Sequence, residues 1–273
     1  MPYSPRRPNP SALPDSTKDP FSFAASSLPH HVLLLHGLTS TPFEVRFFGE
    51  ALADDGYGCE GPLLAGHGEE HPEQLGLASW EAWMAQTRAA YAALPTTGQR
   101  FIVGSSMGGL LALLLAADEP VDGMALLSPA LIMQPMGEFG AALMRTPLAS
   151  RMSLVEKSEP GGDVGDPEGK AKNPTYTHID PRGVHELDEL RRAVLRRLPD
   201  VSCPLLVVHG AHDRTIASRS VQFIGEKVQS PWVKSVFLPH SHHILGLDVE
   251  RDRILDDVRR FFAGLQTSDL ETR

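Results

Sequence analysis

The chain has 273 residues, 41% hydrophobic and 22% charged, the proportions of a globular protein able to bury a substantial core. That composition excludes disorder or a fibrous architecture over most of the length. A formal net charge of −9 opposes phosphate backbones and anionic lipid surfaces, so nucleic acid is not an expected partner.

Residues 1–29 scatter seven prolines among serines and charges, which leaves little to pack and predicts a flexible tail. Within it, Phe21-Ser22-Phe23 could add a short edge strand. A first clear strand spans 31–36. Thr41, Pro42 and Glu44 then read as a capping box, and Phe43, Phe47, Phe48, Ala51 and Leu52 give the following helix an apolar face that ends near Gly56. A strand over 58–63 leads into the loop Gly66-His67-Gly68, and a helix over 79–94 stops at Pro95. Residues 100–104 form a strand, and 107–117 a helix apolar nearly all round, hence central and buried. Another strand covers 121–127.

From Ser128 to about Leu198 the alternation breaks. The segment opens with Leu131, Ile132, Met133, Met136, Phe139, Leu143 and Met144, continues through a Gly/Pro/Asp-rich stretch at 159–169, and ends in a charged amphipathic helix. In that helix Leu187, Leu190, Val194 and Leu198 form the buried stripe, while Arg191, Arg192, Arg196 and Arg197 read as a solvated face. Alternation resumes with a strand at 205–209, a helix over 217–228, a strand at 233–238 and a helix over about 249–265. Strands alternating with helices predict an α/β fold, a mostly parallel central sheet flanked by helices, with an inserted cap. The division expected is a tail at 1–29, a core at 30–130 and 199–266, a cap at 131–198 and a C-terminal tail at 267–273.

Cys59 and Cys203 are too few and too far apart for a disulfide framework. No run approaches the roughly 20 apolar residues that span a bilayer, and the N-terminus lacks the basic-then-apolar order of a secretory signal. A cytoplasmic protein without stable membrane insertion is expected.

Gly104-Ser105-Ser106-Met107-Gly108 fits G-x-S-x-G between a strand and a buried helix, the context of a nucleophile elbow. Ser105 is adjacent, but only Ser106 has glycine at both two-residue offsets. A serine nucleophile needs a base, and His240, His242 and His243 all follow the last strand. The base needs a carboxylate, and Asp213 falls just past a strand end in the order Ser, Asp, His; residues 128–134, the other place for the acid, hold none. Two N–H donors must face the developing oxyanion. Met107 supplies one by position, and Leu38, after the strand ending in His36-Gly37, is the candidate for the other. His67, His71, His240, His242 and His243 lack metal-ligand spacing such as H-E-x-x-H, so no metal is expected.

The segments Leu34-Leu35-His36-Gly37-Leu38-Thr39, Leu64-Ala65-Gly66-His67-Gly68, Trp80 with Trp83, Gly104-Ser105-Ser106-Met107-Gly108-Gly109, and those around Asp213 and His243 resemble the bacterial carboxylesterase and monoacylglycerol lipase branch of α/β-hydrolases over about residues 30–265. Among the three histidines the resemblance selects His243, because Ser241-His242-His243-Ile244 is similar to the Ser-Gly-His-Val segment of small bacterial carboxylesterases, with Asp248 at the matching offset. It implies the α/β-hydrolase fold and cofactor-free hydrolysis of a small-molecule ester, short- to medium-chain or a monoacylglycerol. Ser106, His243 and Asp213 would then be catalytic. Acyl transfer or perhydrolysis on the same residues, and a noncatalytic ligand-binding protein of the same fold, are the alternatives. An aspartate nucleophile, as in dehalogenation, is disfavoured by Ser106. In the cap, Met133, Met136 and Phe139 are candidates for an acyl pocket, with cap packing as the competing role. The oligomeric state is not legible.

Overall fold

The computed structural model describes residue 13, residues 17–146 and residues 153–271, with side chains to residue 266. Most of the proline-rich segment (1–12 and 14–16) and the last two residues lie outside the described residues. Among those described, no helix is long and apolar enough to cross a membrane.

In chain order the main elements are β1 (Phe21–Phe23), β2 (His31–Leu35), α1 (Phe43–Asp54), β3 (Gly58–Gly61), α2 (Trp80–Ala93), β4 (Arg100–Ser105), α3 (Met107–Ala116) and β5 (Gly123–Leu127). Then come α4 (Pro135–Met144), β6 (Val155–Glu156), α5 (Pro167–Lys172), β7 (His178–Ile179), α6 (Pro181–Arg197), β8 (Leu205–Gly210), α7 (Arg219–Lys227), β9 (Val233–Leu238) and α8 (Arg251–Glu271). Seven strands make one sheet in the order β1-β3-β2-β4-β5-β8-β9, while β6 and β7 pair separately between β5 and β8. Every pairing in the large sheet is parallel except β1 with β3, so the short Phe21–Phe23 strand forms an antiparallel edge. This is the α/β-hydrolase architecture expected from the sequence.

Period-two side-chain alternation explains why the strands are apolar throughout. Leu33, Leu35, Ile102, Met124, Leu126, Leu205 and Val207 join one buried cluster, with α2, α3 and α6. Their neighbours Val32, Leu34, Phe101, Val103, Ala125, Leu127, Leu206 and Val208 join another, with α1 and α8. Helix α3 is buried along its whole length, as its composition requires. Ser79 caps α2 by accepting a hydrogen bond from Ala82 N–H.

Three local expectations fail for identifiable reasons. The capping box before α1 does not form: Glu44 turns inward to bond Gly37 and Ser105, and α1 has no side-chain cap. Arg191 is buried instead of solvated. Its guanidinium donates to Asp188 Oδ1 (2.9 Å), to the Leu131 carbonyl (3.0 Å) and to Glu138, tying α6 to the start of the insertion, where its charge is matched by carboxylates. Helix α8 runs to Glu271, through the expected C-terminal tail, because no Gly or Pro follows Gly264 to stop it and Gln266 Nε2 donates to Tyr57 Oη (2.6 Å).

Candidate active site

The sheet delivers its chemistry at the C-terminal strand ends, where β2, β4, β5 and β8 release their loops along one edge. Between β4 and α3 the chain reverses so tightly that Ser106 is held at φ 50°, ψ −111°. Small residues make this possible. A Cβ on Gly104 would stand 2.6 Å from the Gly108 carbonyl oxygen, and one on Gly108 would stand 2.2 Å from that of Leu35. The turn is pinned by Ser106 N–H donating to Leu127 O (2.9 Å).

Ser106 Oγ lies 3.0 Å from His243 Nε2, and His243 Nδ1 lies 2.9 Å from Asp213 Oδ2. A carboxylate only accepts, so Nδ1 carries the proton and Nε2 is left to accept from the serine hydroxyl. The second oxygen of Asp213 accepts from Thr215 N–H (2.8 Å) and Ile216 N–H (2.7 Å), fixing the carboxylate in its turn. All three residues are buried. Burial alone would lower the His243 pKa, but the Asp213 carboxylate beside it outweighs this, and His243 titrates above the ordinary histidine range. Burial pushes Asp213 up, and its bonds to His243 and the Ile216 N–H pull it below the usual carboxylate range.

Of the three histidines after β9, only His243 reaches the serine. His242 is claimed by Asp248, whose Oδ2 accepts from its backbone N–H (2.6 Å) and lies 3.2 Å from its Nδ1, and His240 is exposed. The His243 turn is held from above: the Asp163 carbonyl accepts from His243 N–H (3.2 Å) and Ile244 N–H (3.1 Å). The Asp163 carboxylate is itself gripped by Arg214.

Met107 opens α3 directly after Ser106, and Leu38 lies on the β2–α1 loop next to Gly37, where an added Cβ would stand 3.2 Å from Ser106 Cβ. Among the described residues, no hydrogen bond engages either backbone N–H. Two features missed in the sequence support their loop. Glu44, 2% exposed, accepts from Gly37 N–H (3.0 Å) and from the Ser105 hydroxyl, bracing the β2 loop against the elbow. The signal was present, since Glu44 lies three and four residues before Phe47 and Phe48, on the apolar stripe where an unpaired charge is costly. His36 and His67 meet edge to face at 4.9 Å. His36 Nδ1 donates to Gly37 O and its Nε2 accepts from Leu64 N–H; His67 Nδ1 donates to Ala65 O, and burial holds its pKa down to about 3. Both are neutral struts of the loop.

The candidate pocket residues separate. Met133 is buried beside Ile216, whereas Met136 and Phe139 stand exposed on α4. Residues between β6 and β8 also reach the β2 and β3 loops: Tyr176 Oη donates to Gly66 O (2.8 Å), and Thr175 Oγ1 donates to Thr39 O (2.9 Å).

A family model described as serine aminopeptidase, S33 matches residues 27–250. A thermostable monoacylglycerol lipase from Bacillus sp. (strain H-257) is 29% identical over 245 residues, covering 88% of this chain and 93% of the relative. A carboxylesterase from Bacillus subtilis (strain 168) is 29% identical over 251 residues, covering 91% and 98%. Among solved structures, a metagenome-derived lipolytic enzyme superposes with a TM-score of 0.79 at 25% identity, covering 94% of this chain and 100% of the other. The monoacylglycerol lipase of Paleococcus ferrophilus superposes with a TM-score of 0.75 at 17% identity, covering 90% and 98%.

Three outcomes follow from the geometry, each readable in its kinetic part with a fluorophosphonate, which reports serine reactivity whatever the substrate. Glu44→Ala leaves Gly37 N–H and the Ser105 hydroxyl unpaired; it should cost roughly 1–3 kcal/mol in urea unfolding and slow phosphonylation about tenfold. A base must be neutral, so phosphonylation should rise with pH through a midpoint above the ordinary histidine value of about 6.5. Asp213→Asn removes the charge that raises it, shifting the midpoint to lower pH while slowing the reaction by on the order of 10⁴.

Proposed function

The chain belongs to the serine aminopeptidase S33 family of hydrolases, and on that footing we propose that it hydrolyses carboxylic esters, short- to medium-chain or monoacylglycerol, through an acyl-enzyme at Ser106. The observation that carries this reading is the unbroken hydrogen-bond chain from Asp213 through His243 to Ser106, set between two N–H groups without a described partner. Two relatives that align along nearly their whole length, a monoacylglycerol lipase and a carboxylesterase, support an ester over a peptide substrate.

In the proposed cycle Ser106 Oγ attacks the ester carbonyl as His243 Nε2 takes its proton. The carbonyl π electrons move onto oxygen, and Leu38 and Met107 N–H groups donate to the resulting oxyanion. The Asp213 carboxylate stabilises the imidazolium without itself taking the proton. Collapse breaks the bond to the alcohol oxygen, which leaves with the proton from His243. Water, deprotonated by the same imidazole, then attacks the acyl-enzyme, and the acid departs with Ser106 restored.

Residues 131–198 are assigned as a cap over this machinery, separate from a core of 30–130 and 199–266. In it the exposed Met136 and Phe139 would form an apolar lip for the acyl chain, with Met133 behind it.

Wild type should label with a fluorophosphonate and hydrolyse p-nitrophenyl butyrate far faster than an aminoacyl p-nitroanilide. Ser106→Ala should abolish labelling and lower kcat on the order of 10⁴-fold or more. A folded wild type that neither labels nor turns over esters would make the chain a binding protein, and preferential anilide cleavage would make it a peptidase. Met136→Ala with Phe139→Ala should shift the optimum of a p-nitrophenyl ester series toward shorter acyl chains; an unmoved optimum removes the lip from the reading.

A further inference from the structure

Lys157 follows β6 directly, its backbone N–H donating to the carbonyl of Thr177 (2.9 Å), just before β7. Its ammonium reaches down to the β2–α1 loop, donating to Thr39 Oγ1 (2.6 Å) and Thr175 Oγ1 (2.8 Å). An ammonium has three N–H groups, and these two hydroxyls account for two. Among the described residues no carboxylate lies within 4.0 Å of it. Glu44 acts on it through space, but the Glu44 oxygens already serve Gly37 and Ser105. Burial lowers the Lys157 pKa to about 8, and the Glu44 charge offsets only part of that, so the cation is held where desolvation is unfavourable with no carboxylate in direct contact.

Its place gives this cation a use. Thr39 follows Leu38 in the chain, and summed bond lengths bound the distance from the ammonium to the Leu38 nitrogen at about 11 Å. Residue 157 is intermediate in exposure, and the two threonine hydroxyls leave one ammonium N–H unassigned.

We propose that Lys157 receives a carboxylate carried by the substrate a few bonds from the scissile carbonyl, making carboxylate-bearing esters the favoured class. This rests on the ester-hydrolase reading above and narrows it. The carboxylate could sit on the acyl or the alcohol side; the chemistry at the ammonium is the same, a charge-assisted hydrogen bond.

The test uses two isosteric pairs, followed by pH-stat at pH 7. Monoethyl succinate against ethyl 4-methylpentanoate reads the acyl side, and acetoxyacetate against isobutyl acetate reads the alcohol side. Wild type should favour the anionic member of one pair by roughly 10- to 100-fold in kcat/KM, and the responding pair identifies the side. Lys157→Met should collapse that ratio toward one, and Lys157→Arg should keep part of it. No anionic preference in either pair for wild type, or an unchanged ratio in Lys157→Met, overturns the proposal; the second includes the case where both esters slow equally through damage to the cap. If none of the four esters nor p-nitrophenyl butyrate is hydrolysed, the ester reading itself falls, and this inference with it.

Discussion

At position 108 a methyl group would stand 2.2 Å from the Leu35 carbonyl oxygen, so the first turn of α3 presses backbone to backbone against the end of β2. That contact sets the distance between the elbow and the loop leaving β2. It goes with the left-handed φ of Ser106, which only a closely supported turn sustains. The histidine and aspartate loops come from β9 and β8, further along the same parallel sheet, and so arrive at the same edge.

Buried charge is distributed with economy around this edge. Asp213 is neutralised across His243 and by two backbone N–H groups. Glu44 is spent on Gly37 and Ser105, and Asp248 collects the backbone N–H groups of Gly165, Asp166, His242 and Val249. Each is a carboxylate holding loop backbone, a role for which a fixed anion with four lone-pair sites is well suited. Lys157 stands apart because its partners are hydroxyls.

The fold was legible because its signals are local and repeated. Strands buried on both faces read as apolar runs, α3 reads as a helix with no polar side, and Ser79 and Pro95 bracket α2. The elbow was legible because steric demand leaves few residue choices at 104 and 108. The histidine was harder. Spacing offered three, and the choice rested on likeness until Asp248 was seen to occupy His242. Glu44 and Arg191 were misread for a common reason: each fits a local helix rule, capping or a solvated basic face, and each is overridden by a contact 50 or more residues distant in sequence. No window of sequence contains such a contact. Lys157 carries no motif, and its standing depends on the Thr39 and Thr175 hydroxyls that the fold brings to it.

The carbonyl of Asp163 has a mechanical consequence. Because it seats the turn bearing His243 while Arg214 clamps its side chain, this end of the overlying segment behaves as a latch fastened to the base. Lifting it would disturb the turn that holds the imidazole against the serine. Replacing the stretch around residues 159–166 in a graft would therefore also replace the support on which the His243 turn is seated.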